Sequence, residues 1–167
     1  STQVSIANAA CAAAWHELGA KRVVLARELS LEEIRVIRRD TPPELELEAF
    51  VHGAMCVAYS GRCLLSNALV GRSGNRGACA QPCRLPYGVN GPCKNQFPLS
   101  LKDANLSAYL QELGDMGVAC LKLEGRMKRP EYVAVVTDVY ARCIHEHRVP
   151  TQEENDRLAL AFSRQGF

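Results

Sequence analysis

Apolar positions along the chain repeat at two periods, about two residues and about 3.6, and these alternate to predict strands and helices in turn. Gln3 to Ile6 reads as a strand. Asn8 suits an N-cap, and Cys11, Ala14, Trp15 and Leu18 follow at helical spacing until Gly19 closes the helix. Val23-Val24-Leu25-Ala26 is a short, wholly apolar run of the kind buried in parallel sheets. Ser30 with Glu33 makes a capping box for a helix that turns Leu31, Ile34 and Ile37 inward, and Pro42-Pro43 ends that unit. Leu45 to Phe50 is the next strand, and it delivers the chain to His52-Gly53 and the first of a group of cysteines. Beyond them Pro98 to Leu101 looks extended, and Leu106, Tyr109, Leu110 and Leu113 mark a helix that stops near Gly114 and Gly117. Ala119 to Leu123 is another apolar strand. Pro130 fits the first position of a long helix with Val133, Val136, Tyr140 and Cys143 as its buried stripe. Gln152 to Phe162 reads as a weaker helix.

This alternation argues for parallel βαβ units. Five strand candidates are too few to close an eight-stranded barrel, so the fold class expected is α/β, a partial TIM-like (β/α) barrel of parallel strands, or an open sheet, with an irregular cysteine-rich insertion. Both ends of the chain are abrupt and read as boundaries of a larger protein. Residues 1–167 would then be a fragment of one barrel domain with a cysteine-rich metal module at 52–94. Its edges need either the missing barrel half or self-association to cover them.

Composition narrows the setting. With 167 residues, 47% hydrophobic, the chain can bury one ordinary core. It has neither an apolar run approaching the roughly 20 residues of a membrane span nor the start of a signal peptide. Eight cysteines in a chain that builds a core unaided fit metal-binding thiols in the cytoplasm better than a disulfide scaffold. The net charge of +2 hides a local asymmetry: Ala49 to Lys102 holds no Asp or Glu but six cations, Arg62, Arg72, Arg76, Arg84, Lys94 and Lys102.

Cys56, Cys63, Cys79 and Cys83, with Cys93 close behind, lie in a glycine-rich stretch able to aim several sulfurs at one point. Structural zinc sites favour short C-x2–4-C pairs, and only Cys79 and Cys83 make one. Iron–sulfur clusters tolerate looser spacing, and the surrounding cations would offset their negative charge. The same field would attract RNA phosphates or a carboxylate. Spacing leaves both metals open. Cys11, Cys120 and Cys143 sit on apolar faces and read as core.

The stretch Glu48-Ala-Phe-Val-His-Gly-Ala-Met-Cys-Val-Ala-Tyr-Ser-Gly-Arg-Cys-Leu-Leu-Ser, followed by Asn75-Arg-Gly-Ala-Cys-Ala-Gln-Pro-Cys-Arg, resembles the signature of the peptidase U32 family. Arg22-Val-Val-Leu-Ala-Arg-Glu-Leu-Ser and Lys122-Leu-Glu-Gly-Arg-Met-Lys agree with it, as does Phe162-Ser-Arg-Gln-Gly-Phe, where members continue. The resemblance covers essentially the whole chain and implies that an N-terminal half-barrel and a C-terminal extension are absent. The family name records collagenase-like proteases, whereas better-understood members resemble oxygen-independent hydroxylation proteins acting on tRNA, ribosomal RNA or a quinone precursor. The resemblance implies a [4Fe–4S] cluster, with prephenate as the hydroxyl source. Cys56, Cys63 and Cys79 match ligand positions, and the fourth is Cys83 or Cys93.

Further candidates follow from the barrel. Arg27-Glu28 and Glu124-Gly125-Arg126 end apolar strands, on the rim where parallel barrels carry function. Arg27 and Arg126 could bind a prephenate-like dicarboxylate, or Arg and Glu could simply pair to close the rim. Lys128 and Arg129 read as solvated surface. A cysteine peptidase needs a thiolate–histidine pair, for which His52 is the credible partner; no H-E-x-x-H zinc-protease motif occurs. The leading expectation is an iron–sulfur-dependent RNA hydroxylation enzyme. The alternatives are a U32 peptidase and a zinc-stabilised RNA-binding module.

Overall fold

The computed structural model describes residues 2–88, 91, 96–125 and 128–161. In order along the chain come α1 (Ala9–Glu17), β1 (Arg22–Val24), α2 (Leu31–Arg39), β2 (Glu46–Ala54), α3 (Leu65–Val70), β3 (Asp103–Asn105), α4 (Leu110–Asp115), β4 (Val118–Leu123), α5 (Pro130–His145) and α6 (Gln152–Ala161). The result is a mixed α/β fold with a small open sheet and six helices among the described residues.

Helix starts follow local chemistry. The Asn8 side chain accepts a hydrogen bond from Cys11 N at 2.8 Å. Ser30 and Glu33 form the reciprocal box, Glu33 N donating to Ser30 Oγ and Ser30 N to Glu33 Oε2. Each arrangement satisfies amide donors that a first turn leaves without a helical acceptor. Pro130 opens α5, where its missing N–H costs nothing.

β2 is the centre of the sheet. β1 pairs with its start in parallel, from Arg22↔Glu46 to Val24↔Glu48. β4 runs parallel along its other edge, from Leu47↔Val118 to His52↔Leu123. Ile6 adds a single parallel bridge to Leu25, outside β1. Parallel neighbours thus follow one another in chain order, with α1, α2 and α4 in the connections. Leu47, Ala49 and Val51 of β2 face the helices and meet Val23, Leu25, Ile34, Ile37, Leu113, Val136 and Val139 in one buried cluster.

Several expectations need correction. β3 pairs antiparallel with the end of β2, from His52↔Asn105 to Ala54↔Asp103, so the strands are not all parallel. Pro98-Leu99 forms a turn, in keeping with the turn preference of proline, and the extended segment begins only at Asp103. Thr2–Val4 is a 3-10 turn rather than a strand, because Ser5 takes a positive φ of 58° that interrupts an extended run. In α1 the buried residue is Ala12, while Trp15 and Leu18 are exposed; a methyl side chain lets that helix lie close to the sheet.

A bulge sets the position of His52. Phe50 pairs with Lys122 and His52 with Leu123, so Val51 is one residue too many for β4. Side chains alternate between faces along a strand, and one extra residue turns all that follow to the other side. His52 therefore joins the helix face with Val51, and Phe50 remains on the opposite one.

Candidate functional site: a thiol-lined cavity at the carboxyl ends of the strands

β1, β2 and β4 are mutually parallel, so Arg27-Glu28, the cysteine segment and Glu124 all leave from the same edge of the sheet. A cavity of about 1030 Å³ lies there. Cys56, Cys63, Cys79 and Cys83 all line it, together with Arg27, Phe50, Arg84, Lys122 and Glu124. None of the seven described cysteines is in a disulfide. Cys93 and Arg126 lie outside the described residues.

The thiol loops are built from tight turns and cross-links. Ser60 and Gln81 take positive φ values of 46° and 58°, which is uncommon for residues with a side chain. Leu65 N donates to Cys63 Sγ and Gln81 N to Cys79 Sγ, each at 3.3 Å. Both residues bracketing Cys79 are tied back: Ala78 O accepts from Arg72 Nε at 3.0 Å, and Ala80 N donates to the buried Ser66 Oγ at 2.9 Å. Burial holds the Cys83 thiol above its ordinary value; the Arg84 guanidinium pulls it down, while Cys56, Cys79 and Cys63 push it further up. Cys83 thus feels the other three, and the sequence-predicted set shares one space.

This donor set fits a cysteine-bound group. Four sulfurs face one cavity, and two accept amide hydrogen bonds of the kind that stabilise ligand thiolates. Among the described residues no three His, Cys, Asp or Glu side chains gather closely enough to hold a metal ion.

The cavity face is charged. Arg27 is largely buried, with its guanidinium 4.4 Å above the Phe50 ring and Nη1 donating to Ala54 O at 3.1 Å. Its Nη2 stands 3.8 Å from the Glu124 carboxylate, a loose pairing. Lys122 stands 5.2 Å from the Phe50 centroid and 3.0 Å from Glu48. Lys128 and Arg129, expected on solvated surface, also line the cavity.

Not every candidate faces this space. Glu28 is turned to the loop behind it, where Oε1 accepts from Ser60 N at 2.8 Å and from Ser60 Oγ at 2.6 Å. His52 is buried, with Nδ1 3.1 Å from Tyr140 Oη and its ring edge-on to that of Tyr140, and it is absent from the cavity lining. Burial lowers the imidazole pKa to about 4, against a smaller opposing effect of Asn105. Tyr140 Oη also donates to Val51 O at 2.9 Å, tying α5 to β2. No histidine lines the cavity among the described residues. Sequence reasoning missed Phe50 and Lys122, and it named Arg84 only as one of six cations around the cysteines. The two-residue alternation that places Lys122 beside Glu124 on one face could have found Lys122, whereas the contacts of Arg84 have no local signature.

Fold and cavity together define a class, an α/β protein with a cysteine-lined site at the carboxyl edge of its parallel strands. Sequence comparison is more specific. Residues 1–166 match Peptidase family U32, and the chain belongs to that family. It is 44% identical over 155 residues to tRNA hydroxylation protein P1 of Bacillus subtilis, covering 86% of this chain and 36% of that protein. Identity is 42% over 149 residues to the 23S rRNA 5-hydroxycytidine C2501 synthase of Escherichia coli, covering 86% and 22%. A protein named collagenase from Porphyromonas gingivalis is 36% identical over 189 residues, covering 100% and 45%. The chain thus spans less than half the length of each of these relatives. No solved structure matches it.

Proposed function

We propose that this chain forms the cluster-binding rim of an iron–sulfur-dependent, oxygen-independent RNA hydroxylation enzyme. The observation that carries this reading is the convergence of Cys56, Cys63, Cys79 and Cys83 on one cavity lined also by Arg27, Lys122 and Arg84. The names of the B. subtilis and E. coli relatives supply the substrate class, tRNA or rRNA. The parallel strands in chain order, with helices in the connections, support an arc of a (β/α) barrel whose remaining strands belong to a longer protein.

In this reading Cys56, Cys63 and Cys79 hold a [4Fe–4S] cluster, with Cys83 or Cys93 as the fourth ligand. The cluster supplies electron transfer or a Lewis-acidic iron. The chain's own residues do the rest. Amide donors to Cys63 and Cys79 stabilise thiolate charge. Arg27 and Lys122, stacked about Phe50, present cationic donors beside the sulfurs, suited to a small carboxylate co-substrate of the prephenate type. Lys128 and Arg129 extend the positive lining toward an RNA phosphate. Iron is favoured over zinc by the cysteine spacing, in which only Cys79 and Cys83 form the short pair usual in structural zinc sites.

The peptidase reading finds little support here. A thiolate–histidine pair needs hydrogen-bond reach, and His52 is engaged by Tyr140 on the other side of the bulge. Among the described residues no helix is long and apolar enough to cross a membrane.

Anaerobic purification with iron, sulfide and zinc analysis tests the site. About four irons with matching sulfide per chain, lost in Cys56→Ser, are expected; one zinc, or no metal after reconstitution, refutes the cluster. Nucleoside mass spectrometry of RNA from a deletion strain tests the substrate, and an unchanged set of hydroxylated nucleosides refutes that.

A further inference from the structure

The thiol loops are fastened to the sheet edge by two side chains that reach over from neighbouring segments. Arg84 follows Cys83 directly. Its Nη1 donates to Leu101 O at 2.6 Å and to Ser100 Oγ at 3.0 Å, and its Nη2 donates to Met55 O, the carbonyl just before Cys56. One planar guanidinium therefore joins the residue after one thiol to the residue before another, with the 100–101 segment as a third anchor. Glu28, at the end of the neighbouring strand, does the same for the loop between Cys56 and Cys63. Its Oε1 takes both the amide and the hydroxyl of Ser60, which is fully buried at a φ of 46°. That backbone state is costly for a residue other than glycine, and two charge-assisted bonds offset the cost.

We propose that Arg84 and Glu28 are positioning residues, holding the Cys83 turn and the Cys56–Cys63 loop against one cavity through protein contacts alone, whatever the thiols bind. Neither donates an atom to a ligand in this role. The fork of Arg84 is essential to it, because a lysine ammonium carries the charge but has no planar fork to span Met55 O and Leu101 O. The inference rests on the cluster reading only for its second measurement below.

The full chain is stripped of metal, reduced, and treated with dibromobimane, which bridges neighbouring thiols; bridged peptides are then mapped by mass spectrometry. The wild-type chain is expected to yield the Cys56–Cys83 bridge. In Arg84→Met and Arg84→Lys its yield falls about tenfold, the shift expected when one charged hydrogen bond no longer holds the loops. In Glu28→Gln the bridge between Cys56 and Cys63 falls, while circular dichroism stays unchanged. Iron per chain and the visible spectrum after anaerobic reconstitution are read on the same variants, and both weaken in parallel with bridging. Equal bridging in wild type and variants overturns the proposal, and full recovery by Arg84→Lys reduces Arg84 to a charge and overturns the fork. If the wild type takes up no iron yet bridging still depends on Arg84, positioning stands and the cluster reading falls. If all forms load iron and bridge equally, the reverse holds. Should Arg84→Met fail to fold, Arg84→Lys and Glu28→Gln decide the matter by the same readouts.

Discussion

Gly53→Ala isolates the geometry on which the site depends. Gly53 has a φ of 108°, and a Cβ placed there would lie 2.5 Å from Glu124 O, 3.0 Å from Glu124 Cβ and 3.1 Å from Tyr132 Oη. The backbone strain of an alanine at this φ is about 1–3 kcal/mol. Moving the Glu124 carbonyl aside adds about 1–3 kcal/mol of overpacking. That carbonyl accepts from Tyr132 Oη at 3.0 Å, and Glu124 N donates to His52 O at 2.8 Å, so the shift disturbs the end of the β2–β4 ladder as well. The expected loss is about 4 kcal/mol, a large share of a typical domain's stability. Urea unfolding should show a lower midpoint at unchanged slope. Gly125→Ala is the internal control, since the nearest described atoms to its added Cβ are in the Tyr132 and Val133 side chains, at 3.6 Å or more; it should cost under about 1 kcal/mol. If Gly53→Ala costs no more than Gly125→Ala, the close approach of β2 to Glu124 is wrong.

Three further outcomes follow from the core and caps. His52 is held to a pKa of about 4 by burial, so between pH 6.5 and pH 4 the unfolded chain takes up a proton that the folded chain refuses. Stability is therefore full above pH 6.5 and declines by about 3 kcal/mol as the pH falls to 4; an NMR-titrated imidazole pKa near 6.5 would contradict this. Tyr140→Phe removes the donor to Val51 O and the partner of His52 Nδ1, and should cost about 1–3 kcal/mol in chemical denaturation; a neutral result refutes the tie between α5 and β2. Ser30→Ala breaks one half of the α2 capping box and should cost about 1 kcal/mol, seen as faster amide exchange in the first turn of α2, with no change there counting against the box.

Much of the scaffold was legible because it is written locally. The Asn8 cap, the Ser30–Glu33 box and Pro130 at the start of α5 each act within a turn of their own position, and each appears where the sequence places it. The four thiols cluster in a glycine-rich stretch of sequence, and they line one cavity in the fold. What failed was non-local or irregular. His52 reads from sequence as the partner of a thiolate because it precedes the cysteines, but the extra residue Val51 in β2 turns its imidazole to Tyr140 instead. Trp15 and Leu18 fit a helical stripe, yet the sheet meets α1 at Ala12, a choice set by packing distance rather than by hydrophobicity. The pairing of β3 to β2 was equally invisible, since three residues carry no pattern of their own.

The bulge also explains why one strand can serve two chemistries. Before Val51, β2 places Leu47 and Ala49 on the dry helix face, and Glu48 and Phe50 on the opposite one. That second face is half-buried rather than buried, and it carries Glu48, with Lys122 beside Phe50. They are satisfied by one another: Lys122 reaches Glu48 at 3.0 Å, and Arg27 lies over Phe50 from the next strand end. Without the extra residue His52 would continue this charged face and stand within the cavity, a basic nitrogen close to the thiols. With it, the imidazole is buried and neutral at physiological pH, and the basic side chains lining the described cavity are arginines and lysines. A thiolate–histidine pair would require the imidazole on the face that β2 turns away.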